Sequence, residues 1–460
     1  MSFTVRKMSG SYIYSSKQKH LKRTKSGDRI SKLPESLLSC ILSFLPTKDA
    51  VRTSVLSKTW VYRWTSITKL DIHDNLFFSP KKRTRGKQNF VNFVYRVLLL
   101  TTPSSFSLVL VQNQDVALFN IWISNILINK VKNLRIVTHF EMSFPAQASH
   151  FLFQSFCLEE LVLNMVSCAI TVTKTYVYFG QLKVLKLSGV LFTHDSVSDF
   201  NLSLPVLKVF ETTNCSWLKA KRVSLEVPQL ESVIIVEDNS SSYATNNCAV
   251  EFSVSHLKHF TYRGYDSMSH FFKLLDPSSA SNSSLTITVS PCEKKKDTMI
   301  ESRVFVLLKQ FRKMKCLKFD GLQELAKQSV ANLPLFGMLS HLDLGFVTGE
   351  VLLGLLLKSP VLRTLVFKGI SIFDMELLNS AAVPECLTST LQVVKFGSLK
   401  GFEHELCVAK FVMENALMLE RMSFSIVYWQ RKSKVIEEFK EKLFSYKKAF
   451  SCAIIDFSHD

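Results

Sequence analysis

From about residue 101 onward the apolar side chains fall into one recurring figure: apolar, two free positions, apolar, one free position, apolar. It is written by Val131-x-x-Leu134-x-Ile136, Leu158-x-x-Leu161-x-Leu163 and Leu182-x-x-Leu185-x-Leu187. Leu207, Leu230, Leu257, Met314, Leu339, Leu362 and Leu391 open further copies, making ten in all. Consecutive copies start 23–29 residues apart, except for a gap of 57 that a degenerate copy at Leu285-x-Ile287 would divide. The alternation closing each figure predicts a short strand, with its two apolar residues inward and their neighbours outward. One such unit cannot cover its own apolar residues, so the units must stack strand beside strand.

The spacing is that of a leucine-rich repeat, and Leu108-x-Leu110 is read as the start of the array. The period changes at both ends. Between Leu33 and Trp64 it becomes helical: Leu37, Leu38, Ile41, Leu42 and Leu45 form one broad stripe, which Pro46 stops. Thr47 is the expected N-cap of a second helix bearing Val51, Val55 and Leu56. Ser57 would cap a third, with Trp60, Val61 and Trp64. Three short helices cannot bury this much apolar surface among themselves, so a partner protein is expected to cover it. Beyond residue 380 the pattern predicts a helix from Glu403 to Leu419, a strand from Met422 to Ile426, a charged helix from Ser433 to Tyr446 and a closing strand from Cys452 to Phe457.

Composition narrows the classes. With 47% hydrophobic residues the chain is not mainly disordered, and 460 residues are too many for one compact core. The formal charge of +19 favours nucleic acid, anionic membranes, acidic proteins or phosphorylated ligands as partners. Its denser runs, Lys17 to Lys25 and Lys81 to Lys87, read as a solvated tail and a solvated loop. Ten scattered cysteines without C-x-x-C spacing, and no secretory start, point to reduced thiols in the cytosol or nucleus. No apolar run is long enough for a membrane helix.

Signatures of catalysis are missing. Gly86-Lys87 lacks the rest of a Walker loop, and Gly397 to Gly401 has the wrong order for a nucleophile elbow. His256 and His259 would fall on opposite sides of a strand, so no metal is expected. Cys386 and Cys407 carry no motif of an activated thiol. No catalytic residue and no cofactor is therefore assigned. The charge alone would allow a basic nucleic-acid- or chromatin-associated repeat protein, but no groove-reading element accompanies it.

From Asp28 to Trp64 the chain resembles the F-box of plant proteins. Leu33-Pro34, Ile41-Leu42, Phe44-Leu45-Pro46, Asp49, Val55-Leu56-Ser57 and Trp60 are in place, and Thr59 departs from the usual Arg. The segment with Pro384-Glu385-Cys386-Leu387, Phe402-Glu403 and Phe411 to Ala416 resembles the FBD domain that follows leucine-rich repeats in such proteins. The resemblance implies an α/β chain in five parts. These are a disordered basic tail (1–27), an all-α F-box (28–70), a linker with a basic loop (71–100), a leucine-rich-repeat solenoid with a curved parallel sheet (101–375) and an α+β FBD segment capping it (376–460). It also implies the substrate-recognition subunit of a Skp–cullin–F-box ubiquitin ligase, itself not an enzyme, or an F-box protein acting outside a ligase. Leu33, Pro34, Leu37, Ile41, Leu42, Leu45, Val51, Leu56 and Trp60 would face the Skp-type adaptor, or support that face, and a cullin scaffold would follow. An unknown protein substrate would lie on the repeats, with neither membrane nor nucleic acid as partner.

Six copies carry Lys or Arg directly after the first apolar position, among them Lys183, Lys208, Lys258, Lys315 and Arg363. Lys186 and Lys318 stand between the last two apolar positions of their copies. Equivalent positions on strands about 4.8 Å apart would form a positive lane for an acidic or phosphorylated part of the substrate.

Overall fold

A computed structural model describes residues 30, 32–78, 83–193, 199–237, 248–265, 270–290, 299–321, 332–371, 382–426, 434–450 and 453–459. The N-terminal tail, Lys81 and Lys82 lie outside these residues. The chain divides into two units, Met1–Ile67 and Thr68–Asp460.

The first unit holds helices α1 (Glu35–Ser43) and α2 (Thr47–Arg52), followed by 3₁₀ turns at Thr53–Val55, Lys58–Trp60 and Arg63–Ser66. Pro34 and Pro46 occupy the residue before each helix. Their fixed φ starts a helix without needing an N–H. Thr47 is thus the first residue of α2 rather than its cap, and it is buried. The expected third helix is broken into 3₁₀ turns. Its run of Thr59, Trp60, Val61, Tyr62, Trp64 and Thr65 is β-branched or aromatic, and such side chains lose rotamer freedom in a continuous helix. Trp64 is buried and donates its indole N–H to the Val61 carbonyl at 3.0 Å.

The second unit is an all-parallel ladder. Its first rungs are β1 (Lys69–His73), β2 (Ser105–Leu110) and β3 (Asn133–Thr138). Next to β4 (Met142–Ser143) comes β5 (Glu160–Thr171). Two strands of a separate sheet, β6 (Tyr176–Tyr178) and β8 (Phe200–Ser203), alternate with the rungs β7 (Val184–Thr193) and β9 (Val209–Thr213). The short β10 (Ser216–Leu218) lies beside β7, and β11 (Arg222–Glu226), β13 (Cys248–Ser253) and β15 (His270–Leu274) complete the separate sheet. The ladder continues through β12 (Ser232–Val236), β14 (His259–Tyr265), β16 (Ser284–Ser290), β17 (Cys316–Asp320) and β18 (His341–Val347). It ends with β19 (Thr364–Ile370), β20 (Val393–Leu399), β21 (Arg421–Ile426) and β22 (Ile454–His459).

Successive rungs pair in register. The apolar figures supply the buried positions: Leu134, Ile136, Leu161, Leu163, Leu342, Leu344, Leu365 and Phe367 are all nearly inaccessible. Behind them pack α3 (Arg83–Leu100), α4 (Val116–Ile128), α5 (Ala146–Phe153), α6 (Met299–Gln310), α7 (Gly349–Leu357), α8 (Glu385–Ser389), α9 (Glu403–Asn415) and α10 (Lys434–Phe450). Asp115 caps α4 by accepting from the Ala117 N–H at 2.7 Å.

Three features differ from the sequence expectation. The stretch read as a linker carries β1 and α3, so the ladder starts one rung earlier than Leu108. In the middle of the array the layer behind the rungs is the parallel sheet of β6, β8, β11, β13 and β15 rather than helices. Strands β20, β21 and β22, in the segment expected to cap the array, extend the same ladder, so this segment covers the end of the array by lengthening it. Phe367, Phe396, Phe424 and Phe457 form one column through these rungs, with ring centroids 4.5, 4.5 and 5.1 Å apart in turn.

Two local devices shape the strands where regular pairing stops. Between Asn164 and Cys168 the pairing of β5 with β7 slips. There Gly189 sits at φ +65°, and a Cβ would strike the Met165 carbonyl oxygen, so only glycine fits this bulge. At the edge of the second sheet the buried Gln310 side chain accepts from the Leu274 N–H and donates to the Phe272 carbonyl at 3.1 Å. It satisfies β15 as a further strand would.

Candidate docking faces

The broad stripe of α1 resolves into two. Leu38 and Leu42 are 1% exposed and face inward, together with the buried Trp60 and Trp64. Leu37, Ile41 and Leu45 lie on the other side, 50%, 43% and 40% exposed. Leu56 at 65% joins them as an open apolar residue. Pro34 is exposed, and Leu33 and Val51 are half-buried. Of the nine residues expected at an adaptor face, Leu42 and Trp60 therefore support the surface from within, whereas the others reach it. Phe44 and Val55, 82% and 86% exposed, are the most open apolar residues of the module. Their position seven residues after Leu37, and directly before Leu56, already marked them in the sequence. Leaving this many aliphatic and aromatic side chains in water is costly for a module of some 35 residues, and such a patch marks a protein interface.

In the second unit, the face of the ladder opposite the helices carries the outward residues. Those that directly precede the strands form an edge lane, joined by backbone hydrogen bonds from one rung to the next. Lys132, Glu159, Lys183, Lys208, Glu231 and Lys258 follow in order, then Ser283, Lys315, Ser340, Arg363, Gln392 and Glu420. The lane is not uniformly positive. Glu159 accepts from Lys183 at 2.7 Å and from Lys132 at 3.0 Å, and Glu231 takes Lys258 at 2.7 Å. Next to the edge lane, Lys186 pairs with Glu211 at 2.8 Å and Lys318 with Asp343 at 2.9 Å. Asp320 reaches across β18 to Lys368 at 2.6 Å. Gly345 makes that reach possible, because a Cβ there would meet the Asp320 carboxylate.

Four of the seven cations expected to hold substrate, Lys183, Lys186, Lys258 and Lys318, are thus matched by acids of the neighbouring rung. Lys208 lies beside Glu231 and helps to hold its carboxyl below the usual range, after the hydrogen bond from Lys258. Lys315 and Arg363 have no such partner among the described residues. The acids were readable too: Glu159 and Glu231 occupy the lane position of copies that lack a cation.

Hydrogen bonds from Lys183 and Lys132 hold the Glu159 carboxyl below its ordinary value. A carbon-13 carboxyl titration will therefore find Glu159 ionising below the ordinary glutamate value of 4.5. Lys183→Ala raises that titration and leaves Glu231 unmoved. A Glu159 that ionises at the ordinary value in the unaltered chain would mean that the ladder of opposite charges is not held in solution.

A bare-faced helical module followed by a parallel repeat ladder defines an F-box protein of the repeat-bearing kind. Residues 30–69 match the F-box domain and residues 379–424 match FBD, and the chain belongs with the plant F-box/FBD/leucine-rich-repeat proteins. It is similar to an F-box/FBD/LRR-repeat protein of Arabidopsis thaliana, 29% identical over 95% of this chain and 96% of the relative. Two Arabidopsis thaliana F-box/LRR-repeat proteins are 28% and 26% identical. The first match covers 75% of this chain and 92% of the relative, the second 88% and 89%. No helix among the described residues is long and apolar enough to cross a membrane.

Proposed function

We propose that the chain is the substrate-recognition subunit of a Skp–cullin–F-box ubiquitin ligase. The observation that carries this reading is the open apolar face of the first unit: Leu37, Ile41, Phe44, Leu45, Val55 and Leu56. A Skp-type adaptor covers that face and links the chain to a cullin scaffold. The exposed side of the ladder takes the target protein. The chain supplies no reacting group; it raises the concentration of target near the charged ubiquitin carrier. A nucleic-acid reading is weakened by the pairing of ladder lysines with Glu159, Glu211, Glu231, Asp320 and Asp343, which interrupts any continuous positive track for a run of phosphates.

The test is affinity capture of the full chain, and of the chain lacking residues 33–64, from plant extract, read by mass spectrometry. Adaptor and cullin are expected with the first and lost with the second, while proteins held by the ladder stay. Adaptor recovered equally with both, or with neither, would overturn the proposal.

A further inference from the structure

We propose that the strand-entry edge of β17, β18 and β19 is a phosphate-recognition site for an extended, phosphorylated segment of the target; this rests on the reading of the ladder as the target-binding face. Elsewhere in the edge lane each cation has a glutamate on an adjacent rung. Lys315 and Arg363 do not. Their lane neighbours are Ser283, Ser340 and Gln392, all uncharged. Both side chains are exposed.

The two cations stand two rungs apart, about 10 Å at the backbone given a rung spacing of about 4.8 Å. Long Lys and Arg arms close that distance easily around one ligand. Ser340 lies between them in the lane, its hydroxyl donating to the Lys315 carbonyl at 3.2 Å, with the half-buried His341 at the start of β18. Lys313 and Lys358 lie in the chain segments leading into this edge and add to the positive potential. The described acids nearest in the ladder face elsewhere. Asp343 is engaged with Lys318 and Asp320 with Lys368, both beyond the lane, and Glu420, two rungs from Arg363, accepts from the Gln392 amide at 3.1 Å.

This arrangement suits a phosphoryl group better than a carboxylate. A phosphate carries close to two charges and three acceptor oxygens, enough for an ammonium and a bidentate guanidinium at once. A carboxylate has one charge and two oxygens. Arg363 is suited to bidentate binding, and Lys315 acts as a point charge.

The experiment uses the full chain, co-purified with a Skp-type adaptor. The probe is a degenerate fluorescent peptide library with one fixed phosphoserine, compared with twins carrying Glu or Ser there and with a single-stranded DNA library of matched charge. The expected result is saturable binding of the phosphopeptides and a loss of about tenfold or more in Lys315→Glu/Arg363→Glu, the scale of one lost charge-assisted contact. The charge-matched control Lys434→Glu/Lys442→Glu, on exposed positions of α10, keeps wild-type binding. Phosphopeptide binding that falls equally in both variants, is matched by the Glu or Ser twins, is exceeded by DNA, or is absent would overturn the proposal. Adaptor co-purification reports separately on the ligase reading.

Discussion

Ile41→Asp combined with Leu56→Asp abolishes adaptor capture while thermal unfolding stays within a few degrees of the unaltered chain. Both side chains are well exposed, so the new carboxylates stay hydrated and the fold loses little. Under the adaptor each charge would be buried without a partner, the costliest kind of interface change. Two disrupted anchors at about 2 kcal/mol each weaken the complex by at least about 100-fold. Leu42→Asp serves as the contrast. Its side chain is 1% exposed, so that variant loses the module itself and its melting transition. The measurement is adaptor affinity by calorimetry beside a thermal melt for each variant. Wild-type affinity in the exposed double variant would sink the assignment of this face.

The second large effect is on stability. Phe424 is fully buried, stacks between Phe396 and Phe457 and meets Phe439 at 5.6 Å. Phe424→Ala leaves a cavity in the middle of that column and costs about 3–5 kcal/mol. Rungs contact mainly their neighbours, so the loss stays local. Hydrogen exchange will speed up in β20, β21 and β22 and remain unchanged in β2, β3 and β5. Uniform acceleration along the ladder, or a loss below about 1 kcal/mol, would contradict independent rungs in a well-packed column.

The rungs were legible because the figure of apolar positions is the packing itself. Each copy named in the sequence contains a strand, and Leu285-x-Ile287 lies in β16 as the gap required. The ladder's true start was written in the same code, as Ile67-x-x-Leu70-x-Ile72, but stood apart from the main run. Leu419-x-x-Met422-x-Phe424 likewise continues the figure into the FBD segment. The second sheet was harder. Its strands are short, and alternation such as Val223-x-Leu225 does not say which layer a strand joins. The two faces of α1 were merged because Leu37 and Leu38 are both apolar, and only tertiary packing against Trp60 and Trp64 tells inside from outside. The pairing of charges needed register: Lys183 meets Glu159 only because their rungs are neighbours.

Gln310 shows how the separate sheet comes to a stop. A bare strand edge offers its peptide groups to any extended chain, its own kind included. One planted amide reads the same hydrogen-bond code as a backbone and occupies it, so growth of that layer ends in a full stop rather than an invitation. At that end, in a crowded cell, the layer behind the ladder is closed to pairing with a stranger's strand.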